Sequence, residues 1–343
     1  MPRRSASLDA MRGLAVLFML EVHLGFWWAR NLPEGNPLVD LGTVLGGTAA
    51  PLFLILAGIG LSLSRAREPS GFLARSARRG FALLVAGVIF TFVEQVVYGP
   101  FGWGVLQCIG VSVIVCAAAM RAPPSARALA GVALMILASV LRWQLGVPGV
   151  LYSNDMMAVG SAGDYLRGML LSGFFPLIPW LGFALVGSAA GDWLFIRGSE
   201  NPRDRAGAVN LFLLSFFLIV SGAAVLSRGT APEFFPPSLS FSLLVCGVCL
   251  LAVPIFTAVR FPGGNPLSAL GRVSLTAFVV HHLVGFEAFR AAGLLHSFDL
   301  TTALALVLLT WALALLAAWA WSRKGFRYGL EWAVGLLERR TSK

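Results

Sequence analysis

Four residues able to do chemistry lie in the first apolar stretch of the chain, SLDAMRGLAVLFMLEVHLGFWW, which covers residues 7–28. They are Asp9, Arg12, Glu21 and His23. Eleven positions separate Arg12 from His23, close to three helical turns, so the two side chains share one face about 16 Å apart. Asp9 lies one turn before Arg12 and can pair with it. Because ionisable groups are costly inside a membrane and usually face a cavity or each other, this helix is predicted to be functional.

The pairing of an imidazole with an arginine on one face suits acyl transfer. An imidazole gains and loses a proton near neutral pH, so His23 can act as a general base or a transient acyl carrier. A guanidinium matches phosphate oxygens, so Arg12 is predicted to contact a phosphorylated donor. Two alternatives stay open. The same groups could serve a proton-coupled transporter or exporter of a small polar solute or lipid-linked sugar, or the chain could be a structural subunit.

A second set of polar residues lies in later apolar stretches. His281 and His282 fall near the middle of one stretch, and Arg272 marks its beginning. Adjacent residues on a helix point about 100° apart, so at least one of the two histidines is expected to be structural. Glu94 and Gln107 are weaker candidates for contacts with an acceptor.

The composition defines the elements that must hold these residues. The chain has 343 residues, of which 57% are hydrophobic and 12% charged, with a mean hydropathy of +0.81. Soluble domains carry roughly a quarter charged residues, so the sequence predicts an all-α, polytopic membrane bundle. Apolar blocks of roughly 20 residues, enough to cross a bilayer, predict ten helices, over residues 10–29, 46–64, 80–98, 104–120, 128–145, 169–195, 208–226, 238–258, 272–290 and 299–321.

The basic residues predict the orientation of these spans. With ten alternating spans, 21 of the 26 Lys and Arg fall on the side of both termini, which is therefore expected to be cytoplasmic. The net charge of +10 then reflects topology, and no nucleic-acid partner is expected. The first span is too long for the core of a cleaved signal peptide. We expect a multi-pass protein of a bacterial-type inner membrane, with the lipid bilayer as its partner.

The four cysteines give no sign of a disulfide framework or a metal site. Cys108, Cys116, Cys246 and Cys249 all lie inside apolar stretches. The last two form a CxxC without neighbouring histidines or further cysteines, so no metal is expected. The sequence leaves a monomer and a homodimer both open.

The opening stretch resembles the first helix of the transmembrane acyltransferase superfamily, which includes acyltransferase-3 proteins and heparan-α-glucosaminide N-acetyltransferase-like proteins. That helix reads Leu-Asp-x-x-Arg-Gly, with a histidine after ten further residues. Asp9, Arg12, Gly13 and His23 match the pattern. Further stretches resemble the superfamily in the same order over residues 8–285, among them APLFLILAGIGLSLSRAR, GVLQCIGVSVIV, FFPLIPWLGFALVGSAAGD and LGRVSLTAFVVHH.

The resemblance implies one transmembrane acyltransferase-like domain over residues 1–343. It implies a cytoplasmic acyl-CoA donor, most often acetyl-CoA, and transfer to a hydroxyl or amine of a sugar or glycan, often across the membrane. His281 occupies the position of a recurring histidine of the superfamily. The expected site residues are catalytic His23 and His281, donor-side Arg12, Asp9 and Arg272, and acceptor-side Glu94, Gln107 and His282.

One departure from the heparan-type branch concerns the catalytic histidine. In the heparan enzyme this histidine belongs to the first luminal loop, and the position matching His23 is not histidine. The corresponding loop here, residues 25–47, contains no histidine. Either His23 takes over the role, as in the acyltransferase-3 branch, or the protein does something else.

Overall fold

The structure, a computed structural model, describes residues 5–93, 102–146, 161–197, 206–259, 261–262 and 264–339. Within these residues the chain is helical and has no β-strand, apart from one isolated bridge between Ala29 and Phe298. The all-α architecture predicted from the composition is confirmed. The contacts divide the chain into two compact units, one of residues 54–254 and one of residues 3–53 with 255–343.

The first unit is built from the middle of the chain. Its helices, in order, are α3 (Ala49–Arg67), α4 (Phe72–Val93), α5 (Val105–Ala119), α6 (Pro124–Gln144), α7 (Ala162–Arg167), α8 (Leu177–Gly191), α9 (Ala206–Leu226) and α10 (Leu239–Ala258). Helix α7 continues as a π-helix over Gly168–Ser172, and α8 continues as one over Asp192–Arg197. The beginning of α3 and the end of α10 belong to the second unit.

Helix α8 lies at the centre of the first unit, where small residues let its neighbours approach closely. Its residues are buried from Pro179 to Gly191. A side chain at Gly187 would run into the backbone of Ile55 in α3, and one at Gly182 would run into that of Gly131 in α6. Glycine therefore permits backbone-to-backbone packing here, as is typical of membrane helices.

The second unit brings the two ends of the chain together. Its helices are α1 (Ala6–Trp28), α2 (Pro37–Gly47), α11 (Pro266–Arg272), α12 (Ser274–His281), α13 (Leu300–Ser322) and α14 (Leu330–Arg339). Helix α12 continues as a π-helix over His282–Ala288 and ends in a short turn, Phe289–Ala291. Most of these helices begin at a polar capping residue, such as Ser5 before α1, Asn265 before α11 and Asp299 before α13.

Helices α1 and α11 cross at two glycines that belong to the motifs singled out in the sequence. A Cβ at Gly13 would meet the carbonyl oxygen of Leu267, and a Cβ at Gly271 would meet that of Asp9. The Ser268 hydroxyl also donates to the carbonyl of Ala6 over 2.7 Å. The Arg-Gly and Leu-Gly-Arg motifs thus pack directly against each other.

Seven helical stretches of the described chain are long and apolar enough to cross a membrane: α1, the α2–α3 pair, α6, the α7–α8 stretch, α9, α10 and α13. An eighth is added if α11 and α12 are counted as one span. A polytopic bundle therefore fits, while the count of ten and the cytoplasmic placement of the termini stay predictions. Helix α5 has 15 residues, fewer than the roughly 20 that a perpendicular span needs.

The chain bends sharply at the beginning of the predicted span over residues 272–290. Helix α11 ends at Arg272, and α12 begins at Ser274 after a bend of 79°. The new helix start is capped from the C-terminal segment: the Glu331 carboxylate accepts from the backbone amides of Leu275 and Thr276 over 2.6 and 3.1 Å. A carboxylate at a helix N-terminus satisfies free amides and interacts favourably with the helix dipole.

Candidate functional site

Three of the four histidines meet inside the second unit. The rings of His281 and His282 lie 5.2 and 5.6 Å from that of His23, between ring centroids. His281 and His282 are buried, with exposed fractions of 5% and 2%, and His23 is half-buried. We call these three residues the histidine cluster. It joins α1 to the point where α12 becomes a π-helix, a feature that often accompanies functional sites.

Hydrogen bonds define how protons are placed on two of these rings. His281 Nδ1 lies 3.2 Å from the carbonyl oxygen of Ala277, which can only accept, so this nitrogen carries a proton. In a neutral ring His281 Nε2 is then an acceptor, and it lies 2.9 Å from His23 Nδ1. His23 must therefore donate from Nδ1, which leaves its Nε2 as a lone pair. Two consecutive hydrogen bonds thus run in one direction: His23 donates to His281, and His281 donates to the backbone carbonyl of Ala277.

Aromatic side chains enclose the histidine cluster. Trp27 lies one turn after His23 and stacks on the rings of His23 and His281, with centroids 5.2 and 5.7 Å apart. Phe286 packs against Trp27 at 5.1 Å, and Phe278 packs against His282 at 4.9 Å. An aromatic and apolar wall excludes water and strengthens the electrostatic interactions of the groups inside it.

The end of α1 that carries His23 is fixed by contacts with the residues that follow α12. The indole of Trp28 donates to the carbonyl of Gly285 over 2.8 Å. The backbone amides of His296 and Phe298 donate to the carbonyls of Trp27 and Trp28 over 2.8 and 3.1 Å. These bonds hold α1 and the π-helix in register, so the facing imidazoles are positioned by rigid backbone.

The donor-side candidates lie at the opposite end of α1. Asp9 and Arg12 form the ion pair that their spacing predicts, at 2.9 Å. Asp9 and Arg272 line one cavity of about 180 Å³, together with Ser268 and Phe326 among others. The Arg272 guanidinium lies 4.3 Å from the centre of the Phe326 ring, a cation–π arrangement. The structure thus brings the three predicted donor-side residues to one end of the second unit.

The two remaining acceptor-side candidates are not part of this arrangement. Glu94 lies outside the described residues. Gln107 belongs to the first unit, where its side chain accepts from the amide of Gly104 over 3.1 Å and donates to the carbonyl of Gly102 over 3.3 Å. Both ends of this amide are therefore hydrogen-bonded to backbone at the beginning of α5, and a contact between Gln107 and an acceptor stays a prediction.

The sequence predicted no role for two further residues of α1. Trp27 follows His23 by four residues, which places both side chains on one face of α1. Glu21 faces α2 at Gly42, where a Cβ would meet the carboxylate. Among the residues that the structure describes, Glu21 Oε2 is buried without a hydrogen-bond partner. The position of the Glu21 carboxylate in an apolar helix is the feature of the sequence that could have indicated a role for this residue.

Long apolar helices that carry a buried histidine cluster define a polytopic membrane protein. Comparison with known protein families shows to which family of membrane proteins the chain belongs. A family model described as heparan-alpha-glucosaminide N-acetyltransferase, catalytic, matches residues 4–220, and a model described as a protein of unknown function (DUF418) matches residues 202–337. The first match covers more than half of the chain, which therefore belongs to the heparan-alpha-glucosaminide N-acetyltransferase family, and the resemblance of the first helix is confirmed. No curated protein matches the chain.

The two family matches divide the histidine cluster between them. His23 lies in the region of the acetyltransferase match, whereas His281 and His282 lie in the region of the second match. Either match alone would therefore describe only part of the cluster. The membrane-embedded, acetyltransferase-like character of the chain follows from the first match.

Proposed function

We propose that this protein is an acyl-CoA-dependent acyltransferase of the membrane, which moves an acetyl group from acetyl-CoA to a hydroxyl or amine of a sugar or glycan. The donor enters from the side of the termini, and the acceptor approaches the other end of α1. The observation that carries this proposal is the hydrogen bond between His23 and His281, because it leaves a lone pair on the one half-buried imidazole of the cluster.

The proposed reaction uses this lone pair as a general base. His23 Nε2 removes the proton of the acceptor hydroxyl as its oxygen attacks the thioester carbonyl, and the C–S bond of acetyl-CoA breaks. The proton on His23 then passes to the departing thiolate, so the products are the acetyl ester and CoA with a free thiol. A positioned base of this kind contributes typically 10²–10⁴-fold to a rate.

His281 acts in this proposal as a positioning residue. It accepts from His23 Nδ1 and donates to Ala277, which fixes the tautomer and the ring plane of the base. When His23 gains a second proton, His281 can share the positive charge through the same hydrogen bond. Trp27, stacked on both rings, supports the imidazolium as an aromatic face supports a cation.

The donor-side cavity is assigned to part of the CoA molecule. Its volume of about 180 Å³ is below the 300–1,000 Å³ of sites that enclose a drug-sized ligand, so it suits one phosphate group beside Arg272. Arg12 and His23 are about 16 Å apart along α1. A donor held by its phosphates at the arginine end would therefore have to extend its pantetheine arm along α1 to bring the thioester to His23.

Calorimetric titration of the purified protein in detergent with CoA and acetyl-CoA tests this assignment. We expect saturable binding of both, weakened at least tenfold by Arg272→Gln. Arg290→Gln is the matched control, because Arg290 pairs with Glu287 at the far end of the same bent segment. Absence of binding by folded wild-type protein, or equal weakening by both substitutions, would contradict the donor site.

A further inference from the structure

The histidine cluster has a second property that proton transfer does not require. Each of His23, His281 and His282 offers one ring nitrogen, and these three nitrogens all lie within 4.8 Å of one another. We propose that the histidine cluster binds one divalent transition-metal ion, Zn²⁺ or Co²⁺, through these nitrogens. The proposal does not rest on the proposed acyl transfer.

The spacing of the nitrogens fits a tetrahedral ion after a small adjustment. Zinc–imidazole bonds of about 2.0–2.1 Å place two ligand nitrogens of a tetrahedral ion about 3.3 Å apart. The contact between His23 Nδ1 and His281 Nε2, at 2.9 Å, is shorter than this, and no two of the three ligand nitrogens lie more than 4.8 Å apart. Separating the nitrogens of His23 and His281 by about 0.4 Å more, and moving the His282 nitrogen inward by at most about 1.5 Å, would bring all three to the required separation.

The donor set and its surroundings have the chemistry of a metal site. Neutral imidazole is a ligand for zinc and its neighbours in the transition series. A metal-binding histidine almost always donates its other N–H to a carbonyl, carboxylate or water, and His281 does so to Ala277. Three protein ligands leave a fourth position open for water or an anion, as in catalytic rather than structural zinc sites.

Binding of the metal ion by His23 would prevent this residue from acting as a general base. His23 holds its proton on Nδ1 in the hydrogen-bonded cluster, so it must move this proton to Nε2 before Nδ1 can bind the ion. The lone pair on Nε2 is then lost, and no proton is released overall. Metal binding and general-base catalysis by His23 are therefore mutually exclusive, and Zn²⁺ is expected to inhibit transfer.

Titration with Co²⁺ tests the site directly, in purified protein that carries a tag without histidine. We expect the visible absorption bands of tetrahedral cobalt to saturate at one equivalent, and Zn²⁺ to abolish them. His281→Gln and His282→Gln should each weaken binding at least tenfold. His296→Gln is the matched control, because His296 lies outside the cluster with its Nδ1 beside the carbonyl of Ala29, and should leave the titration unchanged.

Three results would overturn the metal site. They are the absence of the cobalt bands in wild-type protein, equal binding in the wild type and both cluster variants, and loss of binding in His296→Gln. Thermal unfolding and gel filtration of each variant show whether it is folded, and Zn²⁺ should raise the unfolding midpoint of the wild type but not of a folded cluster variant. Since the readout needs no CoA, failure of the metal site leaves the acyltransferase proposal standing, and the converse also holds.

Discussion

Each of the two compact units contains a buried polar cluster, and the two clusters differ in what their hydrogen bonds allow. In the first unit Arg127 is 1% exposed. Its guanidinium forms an ion pair with Asp192, donates to the Ser188 hydroxyl over 2.7 Å and to the carbonyl of Ala122 over 3.2 Å. In the second unit the histidine cluster is joined by one imidazole–imidazole hydrogen bond of 2.9 Å.

Arg127 carries a fixed charge with a structural role, whereas the histidine cluster holds a proton that can move between rings. A guanidinium cannot lose its proton in a protein, so the bonds of Arg127 can only hold α6 and α8 together. Each imidazole can exchange one proton and can be donor or acceptor on either side. Burial alone therefore does not mark a functional polar group in this protein. The distinguishing feature is a buried hydrogen bond between two groups that can both change protonation state.

The largest predicted effect on activity is that of His23→Gln. This change removes the base but keeps a polar side chain of similar size, so acetyl transfer should fall about 10²–10⁴-fold while the unfolding midpoint stays unchanged. The measurement is the initial rate of acetyl transfer by purified protein, with His296→Gln as the control. An unchanged rate would remove His23 from the mechanism.

For Arg127 and its ion pair with Asp192, the predicted effect is on stability. Arg127→Met leaves the Asp192 carboxylate without its cation, and breaking a buried pair typically costs about 3–5 kcal/mol. Thermal unfolding in detergent should show a large drop in the midpoint, and adding Asp192→Asn should recover part of it. Arg167→Gln is the control, because its ion pair with Asp164 is exposed and exposed pairs contribute about 0–1 kcal/mol. Equal drops for Arg127→Met and Arg167→Gln would show that the first pair is not structural.

A smaller loss of activity is expected for His281→Gln. A glutamine oxygen can still accept from His23 Nδ1 but cannot take up the proton, so kcat should fall roughly tenfold, about 1.4 kcal/mol, with KM unchanged. His281→Ala, which removes the hydrogen bond as well, should lower kcat further. If both variants lost activity to the same extent, the role of His281 would be uptake of the proton alone, and orientation of His23 would contribute nothing.

The smallest effect is predicted for Glu331→Gln. The neutral side chain keeps one oxygen acceptor for the start of α12 but loses the charge that interacts with the helix dipole, which costs about 1 kcal/mol. A modest fall in the unfolding midpoint is expected, whereas Glu68→Gln, in a largely exposed ion pair with Arg75, should have little effect. A wild-type midpoint in Glu331→Gln would show that the cap does not stabilise α12.

The spacing of residues along one helix predicted part of the site. The contacts between distant parts of the chain could not be predicted from such spacing. The three-turn interval between Arg12 and His23 and the pairing of Asp9 with Arg12 could be read from helical periodicity alone. The contact of His23 with His281 joins residues 258 positions apart, and no periodicity relates them without homologous sequences. The helix start after the bend at Arg272 is capped by Glu331, which lies in a helix that hydropathy did not single out.

The fold was predictable to a similar degree. Apolar blocks located nearly every long helix, because burial in lipid requires uninterrupted hydrophobic sequence. They did not reveal α2, whose residues follow the first span closely, or the π-helices, whose hydrogen bonds shift by one residue without a change in composition. The glycines at positions 13 and 271 were visible in the motifs, but their mutual contact follows only from the crossing of α1 with α11.

The central claim is that His23 holds its proton on Nδ1 and keeps Nε2 as the base. Nitrogen-15 NMR of histidine-labelled protein in detergent, with the His23 signals assigned from His23→Gln, measures this tautomer directly. We expect a protonated Nδ1 and an unprotonated Nε2 at neutral pH, with the Nδ1–H signal altered by His281→Gln. A His23 ring protonated on Nε2 in the metal-free protein would contradict the proposed role of His23, since no lone pair on Nε2 would then be available to the acceptor.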